Sequence, residues 1–194
     1  MDLFHKVNLD YNPDRLKAIY YNNYSMPPDT SYKEVMQTGR DQYLIAPFLN
    51  NKNILWGIED YFYKKDLRIK ESMVYISGPN TIGRPHLDAC LINKVNEWAF
   101  NIPLFNGTSG RTIWYEHKEE DIITRKEKDN IVGYLSSKSA KECKEIASIV
   151  MTQPYIIRTN HLHTIENFTN NFRVTLTFRF KNKSWDQAKE LLCQ

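Results

Sequence analysis

Glycine, cysteine and long apolar runs are all scarce in this chain of 194 residues, and each shortage removes a class of protein. No apolar stretch is long enough to cross a bilayer, so no membrane-spanning helix is expected. The opening MDLFHKVNLDYN lacks the basic segment and apolar run of a secretory signal. Cys90, Cys143 and Cys193 make an odd set without metal-type spacing, which suits free thiols in a reducing cytoplasm better than a disulfide framework. Seven glycines and eight prolines are too few for a repetitive or disordered chain, and a formal charge of +3 is too mild to point to nucleic acid. What is present is ordinary for a globular protein: 41% hydrophobic and 25% charged residues, in a length that suits one domain with a real core.

The first seventy residues and the rest follow different periods. Asn12-Pro13-Asp14 is a helix start, with Leu16, Ile19 and Tyr20 on one apolar face. Met26-Pro27-Pro28-Asp29 reads as a turn, Tyr32–Met36 as a short helical stretch, and Trp56, Tyr61, Phe62 and Tyr63 as an aromatic cluster packing on the core. From Ser72 the period becomes two. Met73–Ser77, Trp98–Phe105, Arg111–Glu116, Ile131–Leu135, Pro154–Thr159 and Phe172–Phe180 are strand candidates separated by turn signals such as Gly78-Pro79-Asn80 and Asn106-Gly107. Many short strands favour a jelly roll. The charged stretch His117–Asn130 reads as a solvated loop. Ser137–Val150 reads as a helix, because Cys143, Ile146, Ala147 and Val150 fall at i, i+3, i+4 and i+7. Ser184–Cys193 reads as a short terminal helix. The expected organisation is therefore one domain: a helical or irregular part over 1–70, a β core over 72–180 and a helix over 184–193.

The chemistry gathers at His86-Leu87-Asp88. Residues i and i+2 of an extended segment point to the same side, so His86 and Asp88 can converge on one ion while Leu87 points away. His-x-Asp alone occurs often by chance. A second histidine on another strand would complete a two-histidine, one-carboxylate set, the donor set that holds non-haem Fe(II) and leaves positions open. His161 and His163 both qualify, and strand parity cannot separate them. Spacing favours His163, which lies ten residues before Arg173 and begins a His-x-x-x-Asn pattern with Asn167. His161 is then a neighbour that orients the ligand or faces substrate. His5 and His117 read as surface residues.

The segment from Phe172 to Phe180 alternates. Phe172, Val174, Leu176, Phe178 and Phe180 share one face; Arg173, Thr175, Thr177 and Arg179 share the other. A guanidinium with a hydroxyl two residues on can clamp a carboxylate, the fork donating paired hydrogen bonds and the hydroxyl a third. That assigns Arg173 and Thr175 to a carboxylate and leaves Arg179 open between a functional and a solvent-facing role.

The His-x-Asp pair, the distal histidine and the Arg-x-Thr pair resemble the Fe(II)- and 2-oxoglutarate-dependent oxygenases. The resemblance is clearest in RPHLDA (Arg84–Ala89), NIPLFN (Asn101–Asn106) and HTIENFTNNFRVTLTFRF (His163–Phe180). It covers roughly Ser72 to Phe180 and extends to aspartyl/asparaginyl- and prolyl-hydroxylase-like members. It implies a mainly β fold with flanking helices, the double-stranded β-helix or cupin-like jelly roll. It also implies iron on His86, Asp88 and His163, and 2-oxoglutarate held at its far carboxylate by Arg173 and Thr175. O2 would be the second co-substrate. Asp88 points to hydroxylation, since members that halogenate carry a small residue at that position. A free amino acid or small metabolite fits the modest inserts slightly better than a polymer.

Two other readings compete. RVTLTFR, with Arg173 and Arg179 at its ends, also looks like the closing strand of alkylated-base demethylases of the same superfamily. Thr175 stands where those usually carry Asn, however, and no basic, aromatic nucleotide-recognition segment precedes the core. A non-enzymatic jelly roll would leave the histidines incidental, and a cupin enzyme without a 2-oxo-acid would leave Arg173 and Thr175 without a task.

Overall fold

The computed structural model describes residues 2–23, 43–45, 55–90, 94–95, 97–126, 132–181 and 183–193. Fifteen strands occur among them: β1 (Phe4–Lys6), β2 (Tyr43–Ile45), β3 (Ile69–Ser77), β4 (Thr81–Ile82), β5 (His86–Leu87), β6 (Ala89–Cys90), β7 (Lys94–Val95), β8 (Trp98–Phe105), β9 (Gly110–Tyr115), β10 (Ile122–Lys126), β11 (Val132–Ser136), β12 (Glu145–Ile149), β13 (Tyr155–Arg158), β14 (His163–Asn167) and β15 (Arg173–Phe180). The helices are α1 (Pro13–Asn23), α2 (Glu59–Lys64) and α3 (Trp185–Leu192). The anticipated turn at 26–29 and helical stretch at 32–36 lie outside the described residues.

Two antiparallel sheets face each other. The first runs β1-β13-β8-β15-β3-β2; the second runs β10-β11-β5-β14-β9-β12, with β4 added to β14. The fold is mainly β with flanking helices, a double-stranded β-helix.

The apolar face of β15 points outward from the first sheet. Val174, Leu176 and Phe178 join Phe100 and Ile102 of β8 and Val74 and Ile76 of β3, and α1, α2 and α3 cover them with Leu16, Tyr20, Phe62, Trp185 and Leu192. Phe62 is fully buried, its ring 5.0 Å from each of Phe100, Phe178 and Phe180. Local sequence starts these helices. Asn12 Oδ1 accepts from the Asp14 and Arg15 amides to cap α1, and Ser184 and Gln187 form a reciprocal capping box on α3. A second cluster fills one end of the space between the sheets, with Ala99, Trp114, Ile149, Tyr155 and Ile157. Gly110 lets β9 approach β14: a Cβ there would lie 2.1 Å from the Glu166 carbonyl oxygen.

Two expectations fail. Ser137–Val150 is not a helix, because its second part is β12, paired along β9 from Glu145 to Ile149. The helical spacing proves misleading, since Ile146 and Val150 are exposed while Ala147 and Ile149 pack inward at a period of two. An edge of β9 with unpaired amides and carbonyls outweighs a weak helical pattern. Nor is His117–Asn130 all loop, because Ile122–Lys126 forms β10 against β11.

Candidate metal centre and its surroundings

His86 opens β5, and Pro85 before it holds Arg84 in extended backbone on the approach. His163 opens β14, and the two histidines are register partners. Partners in an antiparallel ladder share a face, so both rings point between the sheets, with centroids 4.7 Å apart. Asp88 follows β5, its amide donating to the Thr159 carbonyl at 3.0 Å. The donor atoms of His86, Asp88 and His163 all lie within 4.8 Å of one another.

Hydrogen bonds at the back of each ring set which nitrogen faces the centre. His86 Nδ1 donates to the Arg84 carbonyl at 3.0 Å, and His163 Nδ1 donates to the His161 carbonyl at 2.8 Å. In the neutral rings both Nε2 atoms are thereby left as acceptors, the orientation a metal ligand requires. They converge on Asp88, with His86 Nε2 3.4 Å from Oδ1 and His163 Nε2 3.8 Å from Oδ2. His161 stands beside this group and supplies its carbonyl.

Charges in the group are strongly coupled. Burial opposes ionisation of Asp88, but the Arg179 guanidinium and the two histidines hold its carboxyl well below the usual carboxylate range. Burial pushes His163 down to about 4, so it is neutral at physiological pH. Burial also disfavours the charged form of His86, yet the hydrogen bond and charge of Asp88 raise it above its ordinary value of 6.5.

The polar face of β15 lies inside, not in water. Arg173, Thr175, Thr177 and Arg179 are all buried. Thr177 Oγ1 donates to Asn101 Oδ1 at 2.8 Å. Thr175 Oγ1 has no hydrogen-bond partner among the described residues. Arg173 pairs in register with Ser77 of β3. That end of the sheet is stapled by Asn167, whose Nδ2 lies 3.2, 2.9 and 2.7 Å from the carbonyls of Ser77, Gly78 and Asn171.

Three participants were not assigned from the sequence. Arg179 is ion-paired to Asp88 Oδ2 and donates from Nη1 to Thr159 Oγ1 at 3.1 Å. Tyr75, half-buried, also bonds to Arg179. Alternation along β15 marked Arg179 as inward or solvent-facing without deciding which, and no local pattern marks Thr159 or Tyr75.

No protein-family model matches the chain, and no curated protein does. Among solved structures, it is similar to a Pseudomonas putida prolyl-4-hydroxylase at 9% identity, over 93% of each chain, with a TM-score of 0.42. It is similar to the non-haem monooxygenase ThoJ at 11% identity, over 91% of this chain and 73% of that one, with a TM-score of 0.47. It is also similar to YcfD, a ribosomal oxygenase from Escherichia coli, at 18% identity over 65% of this chain, with a TM-score of 0.35. That match spans 27% of the YcfD chain. At scores this low the likenesses carry no argument about activity or substrate. Among the described residues, no helix is long and apolar enough to cross a membrane.

Proposed function

We propose that the chain is an Fe(II)- and 2-oxoglutarate-dependent dioxygenase that hydroxylates an unactivated C–H of a small molecule or amino-acid side chain. Succinate and CO2 are the co-products. The observation that carries the reading is the convergence of two imidazole Nε2 atoms on one ionised carboxylate, with both Nδ1–H groups engaged behind them. Two nitrogens and one oxygen suit Fe(II) and leave coordination positions for co-substrates.

His86, Asp88 and His163 would hold the metal. Arg173 and Thr175 would hold the far carboxylate of 2-oxoglutarate, the guanidinium supplying a fixed cation and the buried Thr175 hydroxyl an unused hydrogen bond. When bound, iron with 2-oxoglutarate and O2 supplies an oxidant able to attack an unactivated C–H. The chain's own share is positioning and keeping water away, and the buried inner face of β15 suits both tasks.

The test is an anaerobic titration with Fe(II) and 2-oxoglutarate, followed by the visible metal-to-ligand charge-transfer band. The band should appear in the wild type, weaken strongly in Arg173→Ala and vanish in His163→Ala, while His161→Ala retains it. A wild type without the band would refute the reading. Loss on His161→Ala with retention on His163→Ala would transfer the ligand role. Succinate release across a metabolite panel would then identify the substrate.

A further inference from the structure

We propose that Arg179 and Thr159 form a positioning clamp that reserves one oxygen of Asp88 for the metal by occupying the other. The proposal rests on the metal-site reading above and assigns work to two residues that reading does not use.

Asp88 is held at two points by two residues that are also bonded to each other. Its amide donates to the Thr159 carbonyl at 3.0 Å, its Oδ2 is ion-paired with Arg179 Nη2, and Arg179 Nη1 donates to Thr159 Oγ1 at 3.1 Å. Thr159 is itself fixed, its amide donating to the Glu97 carbonyl at 3.0 Å. The bonds close a ring: Asp88 backbone to Thr159 backbone, Thr159 hydroxyl to guanidinium, guanidinium to Asp88 carboxylate. Every member is largely or fully buried, so water competes little for these bonds. The ring leaves Oδ1 on the side of His86 Nε2, 3.4 Å away.

A carboxylate free to rotate can offer a metal one oxygen or two. With two, Asp88 would take a position that a three-ligand site otherwise leaves open. The guanidinium fork suits the restraint because its two terminal nitrogens reach two acceptors in one plane, whereas a lysine has a single nitrogen. The same residue thus neutralises the buried carboxylate and limits how it can bind.

Mn(II) is the probe. Electron paramagnetic resonance of the free ion gives its dissociation constant, and water-proton relaxation counts the exchangeable waters on the bound ion. Circular dichroism checks that each variant is folded. The wild type should carry about three exchangeable waters, the positions that three protein ligands leave free. Arg179→Met should bind Mn(II) about 10–100-fold more weakly, the usual cost of losing a residue that orients a metal ligand. It should also carry about one water fewer, because the released carboxylate chelates. A purely structural role would not change the water count.

Thr159→Val keeps the backbone contact to Asp88 and should weaken binding roughly fivefold, the weight of one net hydrogen bond. In the Arg179→Met background it should add nothing, because the ring is already open. Arg179→Lys should restore affinity in part and the water count incompletely. Should Arg179→Met fail to fold, Thr159→Val decides alone: unchanged Mn(II) affinity refutes the clamp. Unchanged or tighter binding by a folded Arg179→Met also refutes it and makes the guanidinium a competitor that the metal displaces. A wild type that binds no Mn(II) removes the metal site and the clamp together, an outcome distinct from a variant-specific failure.

Discussion

Thr175→Val should push stability and co-substrate affinity in opposite directions. Thr175 is buried in the centre of β15 with 3% of its surface exposed, and its Oγ1 lacks a hydrogen-bond partner among the described residues. Such a hydroxyl costs about 1–3 kcal/mol in desolvation, and valine matches threonine in shape while favouring a strand. The ligand-free variant should gain about 1–2 kcal/mol, which for a chain of this size raises Tm by roughly 2–8 °C. If that hydroxyl bonds the 2-oxoglutarate carboxylate, its loss removes a charge-assisted hydrogen bond of about 1.5–3 kcal/mol, or roughly ten- to a hundredfold in affinity. Thermal melts with and without ligand measure both effects. At a concentration that stabilises the wild type by about 2.7 kcal/mol, a hundredfold weaker variant gains only about 0.4 kcal/mol. A variant that melts lower without ligand, or keeps the full ligand-induced shift, would refute the reasoning.

Three further outcomes follow from the geometry. Asn167→Leu removes the donors shared by three carbonyls and should cost about 1–3 kcal/mol, as the buried Ser77 carbonyl loses this partner along with two less buried ones. It should weaken 2-oxoglutarate binding more than Mn(II) binding, since Ser77 is the register partner of Arg173; urea denaturation that matches exposed Asn170→Ala would contradict this. Asp88→Ala leaves Arg179 buried without its carboxylate and should destabilise the metal-free chain by about 3–5 kcal/mol, while the double variant with Arg179→Met should recover much of that. Additive losses would show that the two residues are not coupled. Metal affinity should fall with pH. The hydrogen bond and charge of Asp88 raise the pKa of His86 above its ordinary value of 6.5, His163 is deprotonated down to about 4, and Asp88 is already ionised. Metal must therefore displace one proton between about pH 4 and the His86 pKa, worsening Kd by about tenfold per unit of acidification, with a second proton entering below that window. A flat Mn(II) affinity from pH 8 to pH 5 would rule this out.

The alternation of β15 was legible because period two needs nothing beyond the strand itself, and it separated the outward Val174, Leu176 and Phe178 from the inward Arg173, Thr175, Thr177 and Arg179. The approach of His86 to Asp88 was legible for the same reason. What lies on the facing sheet was not. Arg179 and Asp88 are 91 residues apart, and their pairing depends on how two sheets are stacked, which no local period records. Parity left His161 and His163 equivalent. In the structure β14 starts at His163, opposite His86 and Trp114, and the earlier histidine meets this group through its carbonyl. The helix expected over 137–150 failed where a short apolar run had two admissible periods and an unpaired neighbouring strand decided between them.

The two faces of β15 also divide the work of the molecule. A sandwich usually places its main apolar core between its sheets. Here the larger cluster lies outside the first sheet, beneath α1, α2 and α3, while a smaller one plugs one end of the space between the sheets. That division makes a polar interior tolerable: the helix-covered layer supplies most of the apolar burial, so the inner face can carry two arginines, two threonines, Asn101 and Tyr75. Residues on a single strand therefore separate by parity. Truncating Leu176 or Phe178 should destabilise the fold through lost apolar packing, whereas replacing Thr175 or Arg179 should change what the interior binds. The short spacing that puts Arg173 and Val174 side by side in sequence places them on opposite sides of that boundary.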